Sequence, residues 1–512
     1  MPGHRVGNSK PFGSAQGEPR VIVIGAGIGG LTAGALLAHR GYSVLILDQA
    51  LVPGGCASTF QRKGFTFDVG ATQVAGLEPG GIHHRIFTEL EIDLPQATPC
   101  DPACAVYLPG EQTPINVWRD PQKWKQERQR QFPFSEPFWQ LMAALFKASW
   151  EFQGRDPVLP PRNVWDLVQL TKALRPSTFI TVPYTLFTVG DALRAYKLGN
   201  DHRLKTFLDL QLKLYSQVDT EETALLYAAT ALSVSQLPQG LYHLQGSMQV
   251  LSDRLLEALE KKGGTLLMRH TVEHIEVEKG KVSAVVIRNQ KTDEVWTEAA
   301  DHVVANVTAQ NLVQLLGNKA PHGYKRRVEK LPPASGAFVI YLGVDESAIP
   351  SGCPPHLQFM YNAKGPIGNN NSLFVSVSHP GDGRAPEGKA TIVASSFVDT
   401  KQWWVSEDYE GLKQQYTQDA VSRLAKFFYL KPETIIHVEA ATPRTFARYT
   451  ARDQGIVGGI GQRISTFGPF GFANRTPINN LWLVGDSTHP GEGTAGVSYS
   501  ALTAVKQIEA QK

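Results

Sequence analysis

The sequence predicts an α/β protein: an opening strand–helix–strand unit, a mixed-sheet second domain and a helical, aromatic-rich insertion. Three observations predict it. The all-apolar run at 21–24 passes directly into a glycine-rich turn and then a helical pattern. A second all-apolar run, 481–484, precedes another glycine-rich turn and the last helical pattern. Between them, residues 131–235 carry aromatics at helical rather than alternating spacing.

The elements follow in order. Four consecutive apolar residues at 21–24 suit a strand buried on both faces. Residues 31–39 read as a helix with Leu31, Ala35 and Ala38 on one face and Gly41 as its stop. A second strand, 42–47, ends in Asp48, closing a unit of βαβ size. In the insertion, Leu208, Leu212 and Tyr215 repeat at helical spacing, and Pro160, Pro161, Pro176 and Pro183 punctuate it. A helix is expected over 246–259, strands over 265–277, 282–287 and 301–305, further strands within 335–396, a helix over 409–428 and a terminal helix over 497–511.

Composition excludes several classes. With 512 residues, 42% hydrophobic and 19% charged, the chain is neither a disordered tail nor a disulfide scaffold. A net charge of +3 argues against nucleic acid as partner. Cys100 and Cys104 form a C-x3-C pair, with Cys56 and Cys353 alone; no further ligand spacing makes a metal site, so reduced thiols are expected. Residues 1–19 read as a disordered lead-in without the apolar stretch of a secretory signal, and no spanning helix is expected.

The chemistry begins at Gly25-x-Gly27-x-x-Gly30, the segment Gly25, Ala26, Gly27, Ile28, Gly29, Gly30. The first glycine permits the tight turn, the second lets backbone approach a pyrophosphate, and the third allows close helix–sheet packing. The phosphate then sits on a helix N-terminus. Asp48 lies where a ribose-binding carboxylate is expected. These features together predict a Rossmann-type dinucleotide site. At the far end, Gly485-Asp486 closes an apolar strand before a glycine-rich turn, which suits a carboxylate binding a polyol. A ribityl chain is such a polyol, so the dinucleotide is read as FAD rather than NAD.

With those residues in view, the chain resembles FAD-dependent carotenoid desaturases and isomerases of the phytoene desaturase type, within the amine-oxidase-like flavoproteins. The resemblance runs from about residue 20 to the end. It rests on the GAGIGG turn, on Phe67-Asp68-Val69-Gly70-Ala71-Thr72, on Thr442-Pro443 through Arg448-Tyr449 to Gly458-Gly459, and on the stretch from Gly485 to Val497. Within the family it is closest to the cyanobacterial desaturases acting at the C-3',4' position in myxoxanthophyll formation.

The resemblance implies a site, residue by residue. Gly25, Gly27 and Gly30 would form the pyrophosphate loop and Asp48 the adenosine-ribose acid, where the family more often has Glu. Gly54 and Gly55 would form a second phosphate-facing turn. Many relatives then carry Arg or Lys where this chain has Cys56, which leaves one ionic phosphate contact open. Val272 would meet the adenine through its backbone, Asp486 would bind the ribityl-phosphate region, and Gly496 and Val497 would flank the flavin pyrimidine edge. His489 and Glu492 are candidate catalytic groups beside the flavin, or else a structural histidine and a solvated turn residue. The implied division is FAD-binding over 20–130, 236–310 and 451–512, the helical insertion at 131–235, and a substrate-binding domain at 311–450.

The implied reaction is desaturation of a carotenoid at C-3',4': hydride leaves to flavin N5 and a neighbouring proton is lost. A polyene substrate implies an apolar tunnel opening at a membrane surface. The 131–235 insertion is the candidate wall and membrane-facing lid, with 165–170 and 179–187 as interface segments beside Lys172 and Arg175. A peripheral place on the cytoplasmic side of a thylakoid or plasma membrane follows, with quinone or oxygen as electron acceptor. The rivals are a redox-neutral cis–trans isomerase using reduced FAD and a non-catalytic carotenoid-binding flavoprotein. An amine oxidase would need an aromatic cage, for which Trp403, Trp404 and Tyr499 are candidates.

Overall fold

The computed structural model describes residues 19–511. The lead-in expected over 1–19 lies outside them except for Pro19. Strand β1 (Arg20–Ile24), helix α1 (Ile28–His39) and strand β2 (Ser43–Asp48) form the opening βαβ unit. Their sheet has five parallel strands in the order Thr265–Met268, β2, β1, His302–Ala305, Leu481–Leu483. Both faces are covered, and this is why β1 is apolar from Val21 to Ile24. Val21 and Val23 enter a core with α1 and the helices Gln249–Lys261 and Thr494–Glu509, whereas Ile22 and Ile24 enter a core on the opposite face. The second face is closed by the antiparallel strands His270–Glu278, Lys281–Asn289 and Val295–Ala299 and by two short helices.

A seven-stranded mixed sheet forms the second domain, in the order Ile435–Ala441, Ser335–Asp345, Lys389–Asp399, Ser372–Val377, His356–Met360, Cys104–Tyr107, Ile115–Val117. Period-two alternation decides its faces. Phe338, Ile340, Leu342 and Val344 pack against helix Tyr409–Leu424, while Ala337 and Val339 face the large cavity described below. The insertion is helical throughout: no strand occurs among described residues between Val117 and Leu241.

Two boundaries differ from the sequence reading. Strands Cys104–Tyr107 and Ile115–Val117, expected in the FAD-binding part, extend the second domain's sheet through parallel pairing of Leu357 with Ala105. Conversely, helices Ala309–Leu316 and His322–Glu329, expected in the substrate-binding part, bury Leu312, Leu316 and Val328 against the parallel sheet. The 311 boundary therefore moves to the start of Ser335–Asp345. Composition does not change at either place; partner choice does.

Candidate active site

One cavity of about 1040 Å³ runs between the parallel sheet, the mixed sheet and the helical insertion. The C-terminal ends of β1 and β2 open into it, as the crevice rule for α/β sheets requires. Gly25 leaves β1 at φ +96°, in the left-handed region that glycine tolerates. A Cβ at Gly27 would stand 2.7 Å from the Asn306 side chain, and one at Gly30 would collide with the Gly25 carbonyl oxygen. The loop is thus a cradle of bare backbone at the start of α1, whose N-cap carries no side-chain hydrogen bond.

Asp48 ends β2 and lines the cavity. Its Oδ2 accepts from the Ala26 N–H and its Oδ1 from the Ala50 N–H, both at 2.7 Å. Each oxygen keeps a further lone pair for a hydroxyl. Burial raises its pKa against those two donors. The Gly54 N–H donates to the Ala26 carbonyl at 2.7 Å, so the second glycine turn is fastened to the first.

Of the residues singled out in the sequence, Gly25, Gly27, Ile28, Gly29, Asp48, Gly54, Gly55, Val272, Gly485, Asp486, Glu492, Gly496 and Val497 line this cavity together. Ala26 and Gly30 are buried and do not line it. His489 is a correction. It does not line the cavity, is 6% exposed, and its Nε2 accepts from Gln153 Nε2 at 2.7 Å with Phe467 beside the ring. Burial lowers its pKa to about 4, so it is neutral and stands one residue behind the cavity wall. The aromatic cage also fails at Trp403, which is buried against Phe338, and at Trp404, which lies at the surface and donates to the Gln454 carbonyl. Tyr499 does line the cavity.

Glu492 is no solvated turn residue. Its remaining surface faces the cavity, and Oε1 is buried without a hydrogen-bond partner among the described residues. Its Oε2 accepts from Gln217 Nε2 at 2.8 Å. Burial, with the charge of Asp486 adding to it, raises its pKa to about 8, against the Gln217 and Gly459 donors and Arg452. The carboxyl is accordingly neutral near pH 7.

Sequence reasoning missed Arg452. Its Nη2 donates to Asp486 Oδ2 at 2.7 Å and to the Gly458 carbonyl, and its Nε donates to the Ile456 carbonyl at 2.7 Å. Arg452 therefore brings a cation to the cavity near Cys56, where the sequence left one ionic phosphate contact open. The Cys56 thiol, raised in pKa by burial, feels both Arg452 and Asp486. Asn306 was also missed. It follows strand His302–Ala305, and with its amide assigned oxygen-inward its side chain would accept from the Gly27 and Gly30 N–H groups at 3.3 Å. Arg452 lies within the family-like 442–459 stretch, but nothing in its spacing marks it.

The donor set fits FAD: a bare-backbone cradle at a helix N-terminus, a carboxylate with spare acceptors at the end of β2, and a second carboxylate held by an arginine near Gly485. Among the described residues no cluster of His, Cys, Asp or Glu suits a metal ion, and all four cysteines are free.

Comparison with known proteins agrees. The chain is 28% identical over 509 residues to prolycopene isomerase 1, chloroplastic, of an Oncidium hybrid cultivar, covering 96% of this chain and 84% of that protein. It is 25% identical to the zeta-carotene-forming phytoene desaturase of Myxococcus xanthus, covering 97% and 94%. Cyclohexylamine oxidase from Brevibacterium oxydans IH-35A shares the fold, with a TM-score of 0.61 at 17% identity over 96% of this chain and all of that one. The flavin containing amine oxidoreductase family matches residues 28–508. On this match and this site, the chain belongs to the flavin-containing amine oxidoreductase family and is an FAD-dependent oxidoreductase.

Proposed function

We propose that the chain desaturates a carotenoid, introducing a C–C double bond at the C-3',4' position in myxoxanthophyll-type biosynthesis. The carrying observation is the cavity itself: beyond the dinucleotide cradle it continues between aromatic side chains, among them Trp150, Tyr215, Tyr227, Phe374 and Phe467. Such a wall suits a long apolar substrate. The names of the Oncidium and Myxococcus relatives support carotenoid as substrate class; the bond position rests on the sequence resemblance.

Bound FAD supplies a hydride acceptor at N5. The chain's residues do the rest. Gly27 and Gly29, with Asn306 beside their loop, would cradle the pyrophosphate, Asp48 would hold the adenosine ribose, Val272 would flank the adenine, and Asp486, fixed by Arg452, would hold the ribityl chain. Gly496 and Val497 would flank the flavin edge from the start of helix Thr494–Glu509. The aromatic wall orients the polyene and excludes water. A proton must also leave the carbon next to the hydride donor, and Glu492, once ionised, is the cavity-lining carboxyl assigned to take it.

The same residue favours a second reading, redox-neutral cis–trans isomerisation. Neutral at pH 7, Glu492 is a proton donor before it is an acceptor. The experiment is anaerobic incubation of FAD-loaded protein with candidate carotenoids in vesicles, following flavin absorbance and product mass. Bleaching with a product lighter by two hydrogen atoms supports the desaturase. Unchanged mass with altered retention, only after the flavin is pre-reduced, supports the isomerase. Neither change would leave a carotenoid-binding flavoprotein.

The polyene must arrive from a bilayer, so a peripheral contact with the cytoplasmic side of a thylakoid or plasma membrane belongs to this proposal, with quinone or oxygen reoxidising the flavin. Its support is an exposed apolar strip in the insertion: Val164, Leu167 and Val168 on helix Val164–Ala173, then Phe179, Ile180, Val182 and Leu186. No helix of the described residues is long and apolar enough to cross a membrane.

A further inference from the structure

A second, open cavity of about 700 Å³ lies on the surface, apart from the dinucleotide site. Three guanidinium groups line it, from Arg162, Arg327 and Arg463, against one carboxylate, Glu222. Among the described residues only Arg463 of the three is paired, Nε to Glu222 Oε1 at 2.7 Å. Arg327 stacks on Phe472 and donates to the Phe470 carbonyl; among the described residues no carboxylate pairs with it or with Arg162. Burial, then the charge of Arg162, lowers the Arg327 pKa. Two like charges brought together without a counter-ion form a site that an anion stabilises.

Apart from Ser465, the rest of the lining is apolar and open. Leu186 is 64% and Phe470 44% exposed. Leu186 continues the exposed strip of Phe179, Ile180 and Val182, and Arg162 immediately precedes Asn163, the N-cap of helix Val164–Ala173. The segment 464–470 walls both cavities: Phe467 faces the large one, Phe470 the small one. A soluble anion would need only the arginines. A cationic pocket continuous with exposed apolar side chains matches an anionic head carrying apolar chains.

We propose that the Arg162–Arg327–Arg463 pocket docks the phosphate of an anionic phospholipid, with the 179–186 strip entering the interface beside it. The proposal rests on the membrane contact proposed above and names its headgroup partner. Docking there would hold the 464–470 wall of the substrate cavity against the bilayer.

The test is flotation of the full FAD-loaded chain with vesicles of phosphatidylcholine alone or mixed with phosphatidylglycerol. Wild type is expected to prefer the anionic vesicles. Arg162→Gln combined with Arg327→Gln should weaken anionic binding roughly 30-fold, the effect of two basic charges at the surface, and leave phosphatidylcholine binding unchanged. Phe179→Ser with Ile180→Ser should weaken both. Arg162→Gln alone, at a side chain without an ion-pair partner among the described residues, keeps the test valid if the double variant loses FAD. Anionic preference unchanged by the arginine substitutions overturns the headgroup site and leaves the membrane contact standing. No flotation of wild type with either vesicle overturns both. Inorganic phosphate that saturates the pocket without altering vesicle binding, at ionic strength matched with sodium chloride, assigns it to a soluble anion and also overturns the proposal.

Discussion

Arg452 and Asp486 form an ion pair at 2.7 Å across 34 residues of sequence, and both side chains line the dinucleotide cavity. The pair is mostly buried, so its geometry matters more than its charge count. The arginine also bonds the carbonyls of Ile456 and Gly458, which fixes the family-like glycine stretch beside the carboxylate.

Arg452→Met should therefore leave Asp486 uncompensated in the cavity wall. The expected outcome is a loss of about 3 kcal/mol in stability and a fall in retained FAD. Thermal melting and the flavin-to-protein absorbance ratio after gel filtration check it. A variant retaining wild-type FAD content would contradict the placement of Arg452 at the cofactor.

Gly30→Ala tests the cradle. The new Cβ meets the Gly25 carbonyl oxygen, an atom of backbone that has no room to move, whereas a Cβ at Gly41 meets nothing within 4 Å. Gly30→Ala should fold poorly or purify without flavin. Gly41→Ala, strained only by its φ of +83°, should cost about 1 kcal/mol and keep its FAD. Equal FAD content in the two variants would be inconsistent with the loop packing described.

Glu492 gives a pH dependence with a definite sign. Its pKa is raised to about 8 in the fold, above the ordinary carboxyl value of 4.5. The folded chain thus holds a proton that the unfolded chain has released, and stability falls as pH rises from about 4.5 to about 8, then levels. Arg452, Asp486, Lys213 and Tyr227 are the charged or titratable groups that face it. Glu492→Gln removes this penalty, so its gain in melting temperature should grow from pH 5 to pH 8. If Glu492 accepts the proton in desaturation, the wild-type rate should rise through about pH 8 and the variant's should not. A melting difference independent of pH would refute the neutral carboxyl.

Asp68 belongs to the family-like stretch beginning at Phe67 but does not line the cavity. Its Oδ2 accepts from Arg384 Nε and Nη2, both at 3.0 Å, and its Oδ1 from the Met248 N–H at 2.8 Å. Arg384 also reaches Asp382, which pairs with His243. Arg384→Met strands the buried Asp68 carboxylate and leaves Asp382 with His243 alone as charged partner, and should cost about 3 kcal/mol or more while leaving FAD per folded molecule unchanged. Chemical denaturation and flavin titration of the folded fraction separate the two effects.

The dinucleotide half of the site was legible because its signals are local. A strand buried on both faces has to be apolar throughout, a pyrophosphate cradle must be glycine, and a ribose acid must end the next strand; each constrains residue type within a few positions. Gly25, Gly27, Asp48 and Gly54 are such residues, and they meet in one cavity. Resemblance extended the reading to Asp486 and Gly496. His489, only three residues from Glu492, shows the limit of proximity in sequence: one side chain turns behind Gln153 and the other into the cavity.

What the sequence by itself determined is the βαβ unit, the cofactor class and the helical character of the insertion, because periodicity and glycine placement act within one element. Only the tertiary structure decided which sheet received residues 104–117, that Arg452 would neutralise Asp486, and that the Glu492 carboxyl would lose its water. Those outcomes depend on what lies across a sheet edge or a cavity. Partner choice and desolvation belong to pairs of distant segments, and no single segment carries them.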